Sequence, residues 1–331
     1  IVMEYVLGNP ENVDAQLLDA VIYAFVEINP DGTLYVPTPR FLRQIVQLKL
    51  EKPSLQVIAA IGGWGTDGFS DAASTPTSRY NFAREAKKLM NQYGLDGIDI
   101  DWEYPGSSAA GIKSSPQDRE NFTLLITALR DVLGDDAWLS VAGTGDSAYI
   151  RNSAEINKIA PLITYFNLMS YDFTAGETGE NARKHQANLY PSDLSLPGYS
   201  VDDMVNNLIE AGMPSEKILL GVPFYGRLGA TVTKSYDDLR KDYINKNGYE
   251  IAFDKQAQVP YLVKDGKFAM SYDNALSIFL KGQYVLRNCL GGIFAWTSTY
   301  DQANILAKYM YQSIYDPDAL KSELEQVFGQ F

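Results

Sequence analysis

The chain has 331 residues, 46% of them hydrophobic, and carries 28 Lys and Arg against 41 Asp and Glu, a net charge of −13. That acidity argues against nucleic acid or an anionic membrane as partner, and no apolar run approaches the roughly 20 residues that a membrane span requires. One cysteine, Cys289, and one histidine, His185, exclude a disulfide framework and multi-His or cysteine-rich metal centres and argue against a Ser-His-Asp hydrolase, which leaves carboxylates and rings (22 Tyr, 14 Phe, 4 Trp) as the abundant chemistry.

Short apolar runs alternate with helical patterns along the chain. Strands are expected at Ile1–Val6, Ala20–Ile28, Gln56–Ile61, Asp96–Glu103, Trp138–Ala142, Ile163–Tyr171, Ile218–Tyr225 and Gly291–Trp296. The stretch Val21–Val26 is almost continuously apolar, as suits a strand covered on both faces. Between the strands, Arg79–Tyr93 repeats Phe82, Ala86, Leu89 and Met90 at helical spacing and ends on Gly94, and Glu120–Leu133 carries a similar stripe closed by Gly134. Ser200-Val201-Asp202-Asp203 opens a helix through Ala211, and weaker helices are expected near Pro39–Lys49, Ile150–Ala160, Asn274–Arg287 and Gln302–Tyr315. Eight strands with intervening helices predict an α/β fold of the (β/α)8 TIM-barrel type over residues 1–225 and 271–315. Residues 226–270 break the rhythm with lysines and the turn pairs Asn247-Gly248 and Asp265-Gly266, and read as a small α+β insertion after strand seven. Residues 316–331 read as a terminal amphipathic helix.

The fourth strand carries the chemistry. In Asp96-Gly97-Ile98-Asp99-Ile100-Asp101-Trp102-Glu103, alternation places Asp99, Asp101 and Glu103 on one face and Ile98 and Ile100 on the other. The acidic face points into the barrel, where successive carboxylates stand roughly 6.5–7 Å apart along the strand. Solvated acids at a strand end are the plainer alternative, but the intervening residues are too apolar for an exposed edge. Crowded, dehydrated carboxyls share protons, which raises at least one of them toward neutrality. Glu103 falls at the C-terminal mouth of the barrel and is the natural general acid, with Asp101 beside it and Asp99 deeper.

This run resembles the DxxDxDxE signature of glycoside hydrolase family 18, the chitinase family, and it falls on the strand that the family uses. Gly62-Gly63-Trp64, Met169-Ser170-Tyr171-Asp172, Gly221–Arg227 and Trp296 agree with the same family at the ends of strands three, six, seven and eight. The resemblance covers Ile1–Tyr315, the insertion included. It implies retaining, substrate-assisted hydrolysis of β-1,4 bonds between N-acetylglucosamine units, with chitin or its oligosaccharides as partner, no cofactor and no metal. In that scheme Glu103 is the acid and base, Asp101 orients the substrate acetamido group, Asp99 supports Asp101, and Tyr171 bonds the acetamido oxygen. Met169, Asp172, Tyr225, Arg227 and Trp296 would line the same subsite, with Trp64, Tyr5 and Phe25 as further lining. A monomer and a secreted or cell-surface location are expected on the same ground, the chain itself opening directly on a strand-like Ile1-Val2-Met3-Glu4-Tyr5.

Other readings remain open at this point. A lectin on the same barrel would dispense with the glutamate, which is present as Glu103; peptidoglycan or the chitobiose core of N-glycans would suit the same chemistry. Gly63-Trp64-Gly65-Thr66-Asp67-Gly68 and Gly143-Thr144-Gly145-Asp146-Ser147-Ala148 spell dinucleotide-binding patterns, but the first is expected to run into a loop through Ser74–Thr77 and the second lacks the required acid. His185 is expected to brace a loop. Trp102 has the outward parity and is expected to pack beneath a helix. The family has a serine where this chain has Ala60, which is expected to leave Asp99 one hydrogen-bond donor short and to alter the pH dependence.

Overall fold

The computed structural model describes residues 1–331. Its strands form where apolar side chains are buried on both faces, and in chain order they begin with β1 (Val2–Leu7), β2 (Ala20–Ile28) and the short arm β3 (Leu34–Tyr35), which pairs antiparallel to the end of β2. They continue with β4 (Gln56–Gly62), β5 (Gly97–Asp101), β6 (Trp138–Gly143), β7 (Tyr165–Leu168) and β8 (Ile218–Pro223). After five strands of an insertion, β14 (Gly292–Trp296) pairs parallel to both β8 and β1. Because β1 also pairs parallel to β2, the eight parallel strands close on themselves. The expected (β/α)8 barrel is what forms.

The helices that cover it are α1 (Pro39–Gln47), α2 (Phe69–Ala73), α3 (Pro76–Tyr93), α4 (Asp118–Leu133), α5 (Ser147–Asn152), α6 (Ile156–Ile159) and α7 (Val201–Glu210). Local chemistry sets their ends. Thr75 and Ser78 form a reciprocal capping box at the start of α3, and Gly94 ends it in the left-handed region at φ +69°. Ser200 Oγ accepts from the Asp203 amide at 3.0 Å and starts α7. On α4, Phe122, Leu125, Ile126, Leu129 and Leu133 are buried against the outside of the barrel. Each such side chain contributes about 1.5–3 kcal/mol by leaving water.

Between β8 and α9 (Ala275–Arg287) lies an antiparallel sheet of β9 (Tyr225–Leu228), β10 (Val232–Ser235), β11 (Tyr249–Asp254), β12 (Val259–Lys264) and β13 (Lys267–Ser271), with the one-turn α8 (Tyr236–Asp238). The first of these strands starts two residues past β8, so Tyr225 and Arg227 stand at the barrel mouth. The chain ends with α10 (Ile305–Tyr315) and α11 (Pro317–Phe328), the latter burying Leu320 and Leu324 against Phe279.

Three local expectations need correction. The fourth strand stops at Asp101, so Glu103 lies in the bend beyond it and Asp96 just before it, where Asp96 takes the Lys49 ammonium at 2.6 Å and the Val57 amide at 2.8 Å. Gly68 leads straight into α2 and not into a loop, since Phe69 anchors that turn by stacking on Trp102 at 5.4 Å. Ile150–Ala160 is not one helix, because Ser153 and Ala154 separate α5 from α6. Both glycine runs therefore feed short helices, and what sets them apart from a dinucleotide fold is the closed barrel and, for the second run, the missing acid.

Candidate active site

The barrel interior is mostly apolar, filled by Met3, Ile22, Ile58, Ala60, Trp138, Leu219 and Phe294. One layer is polar. Asp99, fully buried on β5, stands in register between Ala60 of β4 and Ser140 of β6. Its Oδ1 accepts from Ser140 Oγ at 2.6 Å and Asn167 Nδ2 at 3.1 Å, and its Oδ2 accepts from Tyr5 Oη at 2.8 Å. Burial pushes the carboxyl up to about 6, against the pull of the Ser140 and Tyr5 hydroxyls. The expectation that Ala60 leaves Asp99 short of donors is thus offset: three donors surround it.

Above this layer the strand ends. Asp101 is 3% exposed, and burial, followed by the charges of Glu103 and Asp99, holds its carboxyl well above the usual range. Burial likewise pushes Glu103 up to about 7, opposed by hydrogen bonds from Asp101 and Tyr104 and reinforced by the charge of Asp172. The two carboxyls share a hydrogen bond, so near neutral pH they behave as one proton-holding pair. Gly62 makes this bend possible. At φ +123° it lies so close to Asp101 that a Cβ would fall 2.0 Å from the Asp101 carbonyl oxygen. Gly63 likewise leaves room for the Phe25 ring, 2.7 Å from where its own Cβ would sit.

Glu103 and Asp101 open into a cleft of about 900 Å³ at the C-terminal end of the barrel. Tyr5, Phe25, Trp64, Met169, Tyr171, Asp172, Arg227 and Trp296 line it as well. Trp296 stacks on Phe25 at 5.5 Å and tilts against Tyr5 at 5.6 Å, a continuous aromatic floor. Asp172 Oδ1 accepts from Tyr225 Oη at 2.7 Å and from Arg227 Nε at 2.8 Å, tying the insertion to the barrel beside Tyr171. Trp64 is 62% exposed on the rim, its edge toward Tyr104. The structure therefore gathers every candidate at one mouth, although Asp99 lies beneath the cleft surface and Tyr225 acts on it through Asp172.

Residues 3–301 match the family described as Glycosyl hydrolases family 18. The chain belongs to that family. It is similar to Chitinase A1 of Niallia circulans, 33% identical over 303 residues that cover 80% of this chain and 43% of that protein. Among solved structures it resembles the chitinase domain of the spore coat protein CotE from Clostridium difficile, with 76% identity, a TM-score of 0.75, and 100% and 96% of the two chains covered. It also resembles a family 18 N-acetylglucosaminidase from Paenibacillus barengoltzii at 32% identity and a TM-score of 0.86, over 95% and 99% of the chains.

The family motif does not mark every residue of the site. Ser140 and Asn167 lie outside it, although each is a lone polar residue at an inward position of an otherwise apolar strand, the one signal that the sequence offers for them. Tyr104, Thr144, Asp146, Tyr149, Phe173 and Tyr199 extend the cleft from loops and helix starts, where neither parity nor periodicity points inward. Trp102 lies outside the barrel wall, 1% exposed, between Phe69 and Phe122. His185 is buried away from the cleft with Nε2 3.0 Å from Asp254 Oδ2.

Proposed function

We propose that this family 18 domain hydrolyses β-1,4 bonds between N-acetylglucosamine units of chitin or its oligosaccharides, with retention and assistance from the substrate itself. The observation that carries the reading is Glu103: a carboxyl pushed up to about 7 and hydrogen-bonded to Asp101, at the edge of an aromatic-floored cleft. Below that pH it holds the proton that a departing glycosidic oxygen needs. As Glu103 gives up this proton, the acetamido carbonyl oxygen attacks the anomeric carbon and the bond to the leaving sugar breaks. The Glu103 carboxylate then takes a proton from water, whose oxygen displaces the acetamido oxygen and restores the starting enzyme.

The other side chains take roles that follow from their atoms. The acetamido N–H donates to a carboxyl oxygen of Asp101, which fixes the attacking carbonyl. Tyr171, its phenol kept protonated by burial and by the charges of Asp172 and Asp101, donates to the acetamido oxygen. Trp296 takes the sugar face, Phe25 and Tyr5 support it, and Met169 closes the same wall. Asp172, held by Tyr225 and Arg227, offers acceptors to sugar hydroxyls, and Trp64 offers a ring on the rim for a further sugar. A monomer and a secreted or cell-surface location belong to the same reading; the similar spore coat domain supports the latter, and no helix is long and apolar enough to cross a membrane.

Glu103→Gln is the direct test. Turnover of chitin oligosaccharides should fall by about 10²–10⁴-fold, the usual contribution of a positioned general acid, while oligosaccharide binding measured by calorimetry persists. Unchanged binding with no turnover in the parent would favour a lectin instead. A parallel digest of peptidoglycan and of an N-glycan chitobiose core would show whether either is cut faster than chitin.

A further inference from the structure

Asn167 Nδ2 lies 3.1 Å from Asp99 Oδ1, 2.8 Å from Tyr5 Oη and 3.4 Å from Ser140 Oγ, all four residues being buried. An amide nitrogen only donates, so Tyr5 Oη, already accepting from Asn167, must aim its own hydrogen at Asp99 Oδ2. The proton direction of the layer is therefore set by Asn167 and ends on Asp99. Ser140 adds the shortest of the three contacts and approaches from β6, the strand opposite the one bearing Ala60.

We propose that Ser140 and Asn167 are positioning residues of the reaction, holding Asp99 as an anion beneath Asp101 and doing from β6 and β7 what a serine at position 60 would do from β4. The inference rests on the hydrolytic reading above. The chain of effects runs through charge. Ionised Asp99 makes it harder for Asp101 to lose its proton, and protonated Asp101 is the form that donates to Glu103 while its other oxygen accepts from the acetamido N–H. Removing a donor lets Asp99 take up a proton at higher pH, so the ionised form that supports Asp101 is lost sooner as the pH falls, and activity falls from the acid side.

The other groups facing Asp99 do not supply this control. The titratable ones are Tyr5 from β1, Tyr171 from the loop after β7, and Asp101 and Glu103 above it, and none is a cation. The neighbouring inward positions Ile22, Ile58, Ala60, Leu219 and Phe294 carry no charge. Arg227 reaches only Asp172 and the Gly229 carbonyl. Neutral donors are thus the means by which this layer holds a negative charge.

The test compares pH profiles of kcat/KM on a chitin oligosaccharide for the parent, Ser140→Ala, Asn167→Ala and the double change Ser140→Ala with Ala60→Ser. Loss of the Ser140 donor should move the acid limb up by about half to one pH unit, leaving the alkaline limb, set by Glu103, in place. Asn167→Ala should move the same limb in the same direction, and restoring a hydroxyl at position 60 should bring the double variant back toward the parent. Superimposable profiles, or both limbs moving together without rescue, would overturn the proposal. Ser140→Thr keeps the hydroxyl and should keep the parent profile, which separates a lost donor from a disturbed fold. A parent inactive on every chitin oligosaccharide would instead remove the hydrolytic reading itself.

Discussion

Two carboxylates are buried by the same barrel wall on opposite sides of it. Asp99 faces inward on β5 and is met by three donors; Glu4 faces outward on β1, is 1% exposed, and neither of its oxygens has a hydrogen-bond partner in the protein. Burial, with the charges of Asp301 and Asp14 adding to it, pushes Glu4 up to about 8, whereas Asp99, buried as deeply, rises only to about 6. Burial alone does not mark a working acid. The barrel surrounds one buried carboxylate with hydrogen-bond donors and leaves the other with none.

The same isosteric change should have opposite signs at the two places. Asp99→Asn puts an NH₂ group where Ser140, Tyr5 and Asn167 all donate. Losing one charge-assisted hydrogen bond costs about 1.5–3 kcal/mol, so kcat should fall roughly 10- to 100-fold and the melting temperature should drop. Steady-state kinetics and calorimetry read both effects. An Asp99→Asn protein with parental kcat and a raised Tm would erase the distinction between the two acids.

Glu4→Gln should do the reverse. The folded-state pKa of Glu4 lies above its ordinary value, so folding is most favoured at low pH and loses stability as the pH rises from about 4.5 to about 8. Gln carries no charge to dehydrate. At pH 8.5 the variant should be more stable than the parent by several kcal/mol, at most about 4–5, the gain shrinking toward zero near pH 4, with kcat unchanged. Urea titrations at the two pH values measure this. A gain of equal size at both would mean that the charge of Glu4 is not what destabilises the parent.

The contrast also explains which parts of the molecule could be read from sequence. Strand parity placed Asp99 and Asp101 inward and Trp102 outward, because period-two alternation is a local property of extended chain. It said nothing of Glu4, whose neighbours Met3 and Tyr5 look like an ordinary strand, since its cost depends on α10 and the loops that cover it. Ser140 and Asn167 escaped for the converse reason. Each is a single polar residue in an apolar strand, and only closure of the barrel shows that residues 5, 99, 140 and 167 form one layer. The parity of Asp101 continues to Glu103, but the chain leaves the strand at Trp102, whose ring stacks on Phe69. Loops after β5 and β6 supply much of the cleft, and loops carry no periodic signal.

The smallest effect is expected at Ala60, where the comparison is most finely balanced. A serine there would stand in register beside Asp99 and offer a fourth donor to a carboxylate that already has three. Adding a donor favours the ionised form, so the acid limb of the pH profile should move down, opposite to the effect of losing Ser140. The shift should stay below about half a pH unit, because the hydroxyl competes with Ser140 and Asn167 for lone pairs they already occupy. A larger downward shift would show that three donors leave Asp99 underheld and that Ala60 sets the acid limit of this enzyme. An upward shift would show that the new hydroxyl draws a donor away from Asp99, and that the layer tolerates only the partners it has.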